Sequence, residues 1–403
     1  LQHGLLARGH RTTRIVFNGG DLHDAGLTGS ALYRRSLDDW PQWVRYFAET
    51  KGVTDLVVYG DCRPYHRLAI AELKELGIRI HVLEEGYLRP NWVTCEADGV
   101  NGNSAMAKLD LDRFGGVEIE AKPADNEVQI TGAHWRYILA GFAYYWWAMV
   151  LSPLFPRYVS HRELGNLHEA FLWLRRFLTW PARRLRTERA LRAMEKRHSP
   201  AHLVLLQLNG DSQLKKHSGF PSVGAFVEFC CAEFAASGAT GDSLVFKNHP
   251  LDNGNVDIRC LVDRVARRHG LADRVFFVET SKLVPLLENS VSVTAINSTA
   301  CHQALRRSIP TMVLGRAVFN HPQIVPNLRL ADFFRLRPAA DIVHYNKLVN
   351  LLRLTCQFNG GFYTGHGRQT LLPLLVRRLE KGPRSCEAYR LVTPASAGVR
   401  LAS

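Results

Sequence analysis

Residues 201–211 read AHLVLLQLNGD, an apolar run that stops in a polar loop containing glycine. A short unbroken run bounded by turn residues suits a strand buried on both faces, as in a parallel sheet. Forward from it come a helix from Ser222 to Ala236, the strand SLVFKN (243–248), a helix from Asp257 to His269, the strand RVFFVE (274–279), and the strand SVSVTAI (290–296) with its helix. The series is expected to end after a helix from Gln369 to Lys381. Backward, RTTRIVFN (11–18), a helix around Trp40 to Lys51, TDLVVYG (54–60), HRLAIAELKELG (66–77) and IRIHVLEEG (78–86) repeat the alternation. Strands alternating with helices predict βαβ units and parallel sheets, whose ligands lie beyond the C-terminal strand ends.

A chain of 403 residues is too long for one ordinary core and suits two α/β domains. The expected boundaries are an N-terminal Rossmann-like domain over 1–125, a helical aromatic and basic linker over 126–200, a C-terminal Rossmann-like domain over 201–385 and a disordered tail over 386–403. The net charge of +14 draws anionic partners, whether nucleic acid, lipid headgroups or phosphorylated sugars. No nucleic-acid recognition motif accompanies it, so nucleic acid is not an expected partner. Eight cysteines without a C-x-x-C pair argue against a zinc site or a disulfide framework and for a reducing cytoplasm. The opening LQHGLLARGH lacks an initiator Met and a signal-peptide pattern, which leads to the expectation that the first strand of the N-terminal domain is missing.

Residues 137–155, YILAGFAYYWWAMVLSPLF, carry no charge, and they include Tyr144, Tyr145, Trp146 and Trp147. The length meets the rule for a membrane span, but aromatics of this kind favour the membrane interface. Arg175 to Arg197 then hold nine Lys/Arg against two Glu, which suits an anionic bilayer surface. The other reading is a pair of interdomain helices with packed aromatics and solvated arginines.

Three short motifs fall after expected strands: Glu84-Glu85-Gly86, His249-Pro250 and Ser298-Thr299. Pro250 fixes the turn that closes SLVFKN, so His249 is presented at the sheet edge as a donor to a phosphate, with Lys247 adding charge nearby. Asn297, Ser298 and Thr299 precede the helix ACHQALRR, where hydroxyls and free N–H groups make an anion site; taken alone, the cluster is more simply an N-cap. Asp61, Arg63 and His66 follow TDLVVYG, and the Arg63 fork matches a carboxylate or phosphate. Asn18, Gly19, Gly20 and Asp21 form a turn where backbone can approach a ligand closely.

The blocks FNGGD, YGDCRPYHR, LEEGYLRPNWVTCE, LQLNGDSQ, VFKNHPLDNG, INSTACHQAL and QFNGGFY, in this order, resemble the capsule polysaccharide synthesis family, specifically its single-module β-Kdo transferases. The resemblance runs over about residues 1 to 380. It implies a GT-B-like α/β fold of two Rossmann-like domains, with parallel sheets facing a central cleft. The implied donor is CMP-β-Kdo, with no further cofactor. The implied acceptor is a glycerophospholipid such as phosphatidylglycerol or its lyso form, on which the poly-Kdo linker of a capsular polysaccharide begins. Lys247, His249, Pro250, Asn297, Ser298 and Thr299 become donor-binding candidates. Asn18, Gly19, Gly20, Asp21, Asp61, Arg63 and His66 become acceptor-binding candidates. The implied place is the inner face of the inner membrane, beside other capsule synthesis and export proteins.

Donor and product share the β configuration, so retention by double displacement through a covalent sugar adduct follows. Asp211, where the family block is acidic, is the expected nucleophile; by composition alone it is a loop Asp capping a turn. Glu84 and Glu85 are expected to face the same cleft, where like charges raise one pKa to suit an acid or base. Glu85, at the strand end, is preferred; alternatively one Glu pairs with Arg89 or Arg63 and holds the loop. No Asp-x-Asp element of the kind that carries a metal-bound nucleotide sugar in other transferases is evident, and no His/Cys/Asp cluster has ligand spacing, so a metal is not expected. Two other readings stay open: a non-catalytic capsule assembly or export factor, and another GT-B-like enzyme such as a nucleotide-sugar 2-epimerase.

Overall fold

The expected alternation of strands and helices is present in the computed structural model, which describes residues 1–114, 133–160, 165–208, 210 and 212–382. The protein is α/β and divides into two units, each with its own sheet.

The first unit takes Leu1–Val100 together with the described parts of Arg113–Asn166 and Val349–Ser403. Strands β1 (Arg14–Val16) and β2 (Ser30–Leu32) form a parallel pair. Strands β3 (Asp55–Tyr59), β4 (Arg79–Glu85) and β5 (Trp92–Ala97) build a larger sheet, completed by β11 (Gln357–Asn359) from the far end of the chain. Parallel pairing holds for β3 with β4; β5 runs antiparallel to β4, and β11 antiparallel to β5. The reason lies in the short connection after Glu85, which is long enough for a hairpin return but not for a crossover.

Flanking helices follow their apolar spacing. Trp40–Lys51 buries Trp40, Val44 and Ala48, and Pro64–Glu75 buries Tyr65, Ala69 and Leu73, each set at i, i+4 and i+8. Helix Gly365–Lys381 buries Leu371, Leu375 and Leu379 against Leu83, Val93 and Cys95 of β4 and β5. This helix therefore completes the first unit, whereas the sequence reading ran the second domain through to residue 385.

The second unit takes Asn101–Asp112 and Leu167–Leu348. Its five strands β6 (Ala201–Leu205), β7 (Ser243–Lys247), β8 (Val275–Val278), β9 (Ser292–Ala295) and β10 (Thr311–Val313) are all parallel, in the order β8-β7-β6-β9-β10. Numbered from β6, that order is 3-2-1-4-5, the doubly wound arrangement. Helix Val223–Ala236, capped by Ser222, and helix Ile258–Arg268, capped by Asp257, bury Phe226, Cys230, Val262 and Val265 in the main core. The strand order reverses between β6 and β9, and loops at that switch point receive ligands in such sheets.

The linker segments divide between the two units. Helix Ala133–Val150 packs on helix Gly19–Ala25 in the first. In the second, helix Trp180–Arg197 packs against β8. Arg176 reaches Asp252 at 3.4 Å and Glu279 at 3.8 Å, Arg183 reaches Glu279 at 3.8 Å, and Thr187 accepts from the Glu279 N–H. Part of the basic run is thus internal scaffolding. Among the described residues no helix is long and apolar enough to cross a membrane. The expected tail beyond residue 385 lies outside the described residues.

Candidate functional site

At the end of β7, burial lowers the Lys247 pKa, and its Nζ donates to the Asn248 carbonyl at 3.3 Å. The Asn248 side chain accepts from the His249 N–H and donates to Asp252 at 3.0 Å. Nδ1 of His249 accepts from the Leu251 N–H at 3.1 Å. A nitrogen that accepts carries no proton, so in neutral His249 the proton sits on Nε2. Pro250 occupies the turn between them, as expected. The imidazole is thereby fixed as an Nε2–H donor at the strand end.

After β9, Asn297 is held by Gln207, which follows β6: Gln207 Nε2 donates to Asn297 Oδ1 at 2.6 Å, and the Asn297 N–H to Gln207 Oε1 at 3.3 Å. This amide pair sits at the switch point. The block LQLNGDSQ contains Gln207, whose role shows only once Asn297 is brought beside it. The helix beyond is only Cys301–Leu305. The N–H groups of Cys301, His302 and Gln303 donate to the carbonyls of Ser298, Thr299 and Ala300, and that of Ala300 to Ser298 Oγ. The expected anion site on free helix amides is therefore not formed there, because the tight first turn uses them. What this turn offers is the hydroxyls and amides of Ser298 and Thr299. Asp211 lies outside the described residues.

In the first unit, β4 separates the two carboxylates that the sequence reading placed together. Successive residues of a strand point to opposite faces, and Glu84 stands opposite Thr94 while Glu85 stands opposite Val93. Glu85 pairs with Arg89 at 3.1 Å. Burial pushes the Glu84 carboxyl up to about 7, with the Glu85 charge raising it further and Arg89 opposing both. A Cβ on Gly60, which has φ +73°, would lie 3.3 Å from Glu84 Oε2, so the carboxylate rests against that glycine.

His66 is tied to the same glycine: its Nδ1–H donates to the Gly60 carbonyl at 2.9 Å. Burial holds its pKa down to about 4, so the ring is neutral near pH 7 with its lone pair on Nε2. A cavity of about 130 Å³ is lined here by Phe17, Asp21, Arg63, His66, Tyr144 and Tyr158. The exposed Arg63 guanidinium lies 5.8 Å from the Tyr59 ring centre and has no ion-pair or hydrogen-bond partner among the described residues.

Five acceptor candidates, Asn18, Gly19, Gly20, Asp21 and Asp61, meet partners within the chain. Asp61 is buried, and its carboxylate accepts from the Val100 N–H and the Cys62 thiol, which anchors the loop. Asn18 caps helix Gly19–Ala25 by accepting from the Gly20 and Asp21 N–H groups, and it donates to Tyr144 Oη at 2.9 Å. Tyr144 in turn donates to Asp21 at 2.8 Å. A Cβ on Gly19 would meet the Trp147 carbonyl oxygen at 2.2 Å, and one on Gly20 the Tyr144 carbonyl oxygen at 2.6 Å. The close approach expected of a ligand is made instead by the chain's own helix. Tyr144 and Tyr158, missed as site residues, supply a wall of the cavity.

These features define an α/β protein with an imidazole held at the end of β7 in one unit and, in the other, a carboxyl raised by burial and a cavity walled by Arg63, His66, Tyr144 and Tyr158. The chain belongs to the capsule polysaccharide biosynthesis protein family, whose model matches residues 54–363. It is 28% identical over 366 residues to the capsule polysaccharide export protein KpsS of Escherichia coli, covering 89% of this chain and 92% of that one. It is 27% identical over 373 residues to the capsule polysaccharide modification protein LipB of Neisseria meningitidis serogroup B, covering 89% and 87%. Among solved structures, it is similar to the Thermosulfurimonas dismutans KpsC, beta Kdo 2,7 transferase, at 14% identity and a TM-score of 0.40, covering 92% of this chain and 99% of that one.

Proposed function

We propose that this chain is a glycosyltransferase that moves β-Kdo from CMP-β-Kdo to a glycerophospholipid such as phosphatidylglycerol or its lyso form, at the inner face of the inner membrane. The observation that carries the chemistry is Glu84, a carboxyl raised by burial to about 7 that rests against Gly60, the glycine whose carbonyl accepts from His66. A group poised near the working pH is what proton transfer to or from a hydroxyl requires.

In the proposed sequence, the Asp211 carboxylate attacks the anomeric carbon, the bond to the CMP phosphate oxygen breaks, and CMP leaves with that electron pair. His249 Nε2–H and the Ser298 and Thr299 hydroxyls stabilise the departing phosphate. Glu84, ionised, then takes the proton of the acceptor hydroxyl as its oxygen attacks the same carbon and releases Asp211. Two inversions give net retention. Arg63 binds the acceptor's phosphate, and Tyr144 and Tyr158 flank it.

The assignment of Asp211 rests on the family block, and that of Glu84 over Glu85 on the Arg89 pairing. The test is trapping: with Glu84→Gln and CMP-Kdo but no acceptor, mass spectrometry should find a protein one Kdo heavier, and with Asp211→Ala none. An adduct on Asp211→Ala would overturn the assignment. The word export in the name of the Escherichia coli relative fits a non-catalytic assembly factor, which would neither release CMP nor carry an adduct.

A further inference from the structure

Helix Asn166–Leu178 is built inside out. Its inward face carries Leu172 and Arg176, both buried, with Arg176 directed to Asp252 and Glu279. Its outward face carries Leu167, Phe171, Leu174 and Leu178 at i, i+4, i+7 and i+11, with Phe177 beside them; they are 57% to 78% exposed. Trp173 and Trp180 are also exposed. A water-facing helix puts such residues on its buried side, and a contiguous apolar patch marks an interaction surface.

The next helix, Trp180–Arg197, supplies the complement. Thr187 faces inward, where it accepts from the Glu279 N–H. On the opposite side, Leu185, Arg189, Arg192 and Lys196 fall at i, i+4, i+7 and i+11. The three cations are exposed and have no ion-pair partner among the described residues. Arg184, Arg197 and Arg183, by contrast, are paired with Glu188, Asp273 and Glu279. An apolar stripe followed by an unpaired cationic stripe matches a surface that offers hydrocarbon beneath anionic headgroups.

We infer that the outward faces of these two helices form a docking surface for an anionic bilayer, with Phe171, Leu174 and Phe177 entering the headgroup boundary and Arg189, Arg192 and Lys196 lying on the phosphates. A protein groove would use the apolar stripe alone; the unpaired cations decide for lipid. The surface belongs to the second unit and is separate from the aromatic segment 137–155. It rests on the membrane placement in the proposed function and deepens it, while the transfer chemistry is read separately by CMP release.

The test is flotation of the full chain with vesicles of phosphatidylcholine alone or an equimolar mixture with phosphatidylglycerol. The chain should float with the mixed vesicles and not with the neutral ones, and brominated lipid should quench its tryptophan emission. A triple variant Phe171→Glu, Leu174→Glu, Phe177→Glu changes only exposed positions and should keep its melting curve yet lose flotation at least tenfold. Arg189→Glu, Arg192→Glu, Lys196→Glu should bind weakly and lose the salt dependence. Undiminished flotation of the apolar triple variant, or no flotation of the parent with mixed vesicles, would overturn the inference. So would a parent oligomer that the triple variant converts to monomer while neither floats, since the face would then bind protein. CMP release measured without vesicles should be the same in parent and triple variant; its absence in both would count against the transferase and leave the docking surface intact.

Discussion

Glu84 and Glu85 are neighbours in sequence and opposites in environment. The sequence places two carboxylates at a strand end; which one is buried follows from which face of β4 each occupies, and that depends on pairing with β5. Strand alternation alone separates the pair, so the opposite facing was legible, while the Arg89 partner was legible only as one of two candidates. The perturbed carboxyl has a signed consequence. Its folded pKa of about 7 lies above the ordinary carboxylate value, so the folded state holds this proton more tightly and stability is lost as pH rises through about 7. Glu84→Gln should remove that slope, so the variant melts higher than the parent at pH 8 and close to it at pH 5. Acceptor turnover should rise with pH through the same region and fall by roughly 10²–10⁴-fold in the variant. A parent profile flat between pH 5 and 8 would exclude Glu84 as the base.

At the scale of elements, the two glycines in FNGGD show how a turn motif misleads. Glycine permits close approach, but the sequence does not say by what. Helix Ala133–Val150 makes that approach, and Tyr144 locks it through Asn18 and Asp21. Gly19→Ala should cost roughly 1–3 kcal/mol in chemical denaturation, because the opposing atom is a helix carbonyl that cannot swing aside. Tyr144→Phe, which removes only the hydroxyl, should cost about 1 kcal/mol. Equal stability of the Gly19→Ala variant would mean that the two helices do not pack as described. The basic run behaves similarly. Its charge count was legible, but the partners Asp252 and Glu279 come from loops after β7 and β8, far along the chain. Arg176→Ala removes one cation while Arg183 stays on Glu279 and Asn248 on Asp252, and should cost roughly 1–3 kcal/mol. Because Asp252 holds Asn248 and Asn248 holds the His249 amide, CMP affinity should drop as well.

Over the whole molecule, the second unit was the more legible. Its strands are continuous apolar runs, and their spacing with helices dictates a parallel doubly wound sheet around β6. The first unit was read correctly as α/β but not in its closure. β11 and helix Gly365–Lys381 return to β5 and β4 through contacts some 260 residues apart in sequence, which no local pattern reports. The short blocks LEEGYLRPNWVTCE and QFNGGFY nonetheless name the two partners, since Trp92 pairs with Asn359 and Thr94 with Gln357. The candidate residues were legible only as polar types at strand ends. The inward turn of Asp61 and the Gln207–Asn297 clamp depend on tertiary partners.

Mass spectrometry of reactions containing CMP-Kdo, generated in place, and a fluorescent lyso-phosphatidylglycerol sets the parent chain beside Asp211→Ala. A transferase that works through Asp211 gives acceptor one Kdo heavier with the parent and unchanged acceptor with the variant. Unchanged acceptor with the folded parent, and no release of CMP, would contradict it and leave a capsule assembly factor as the better reading.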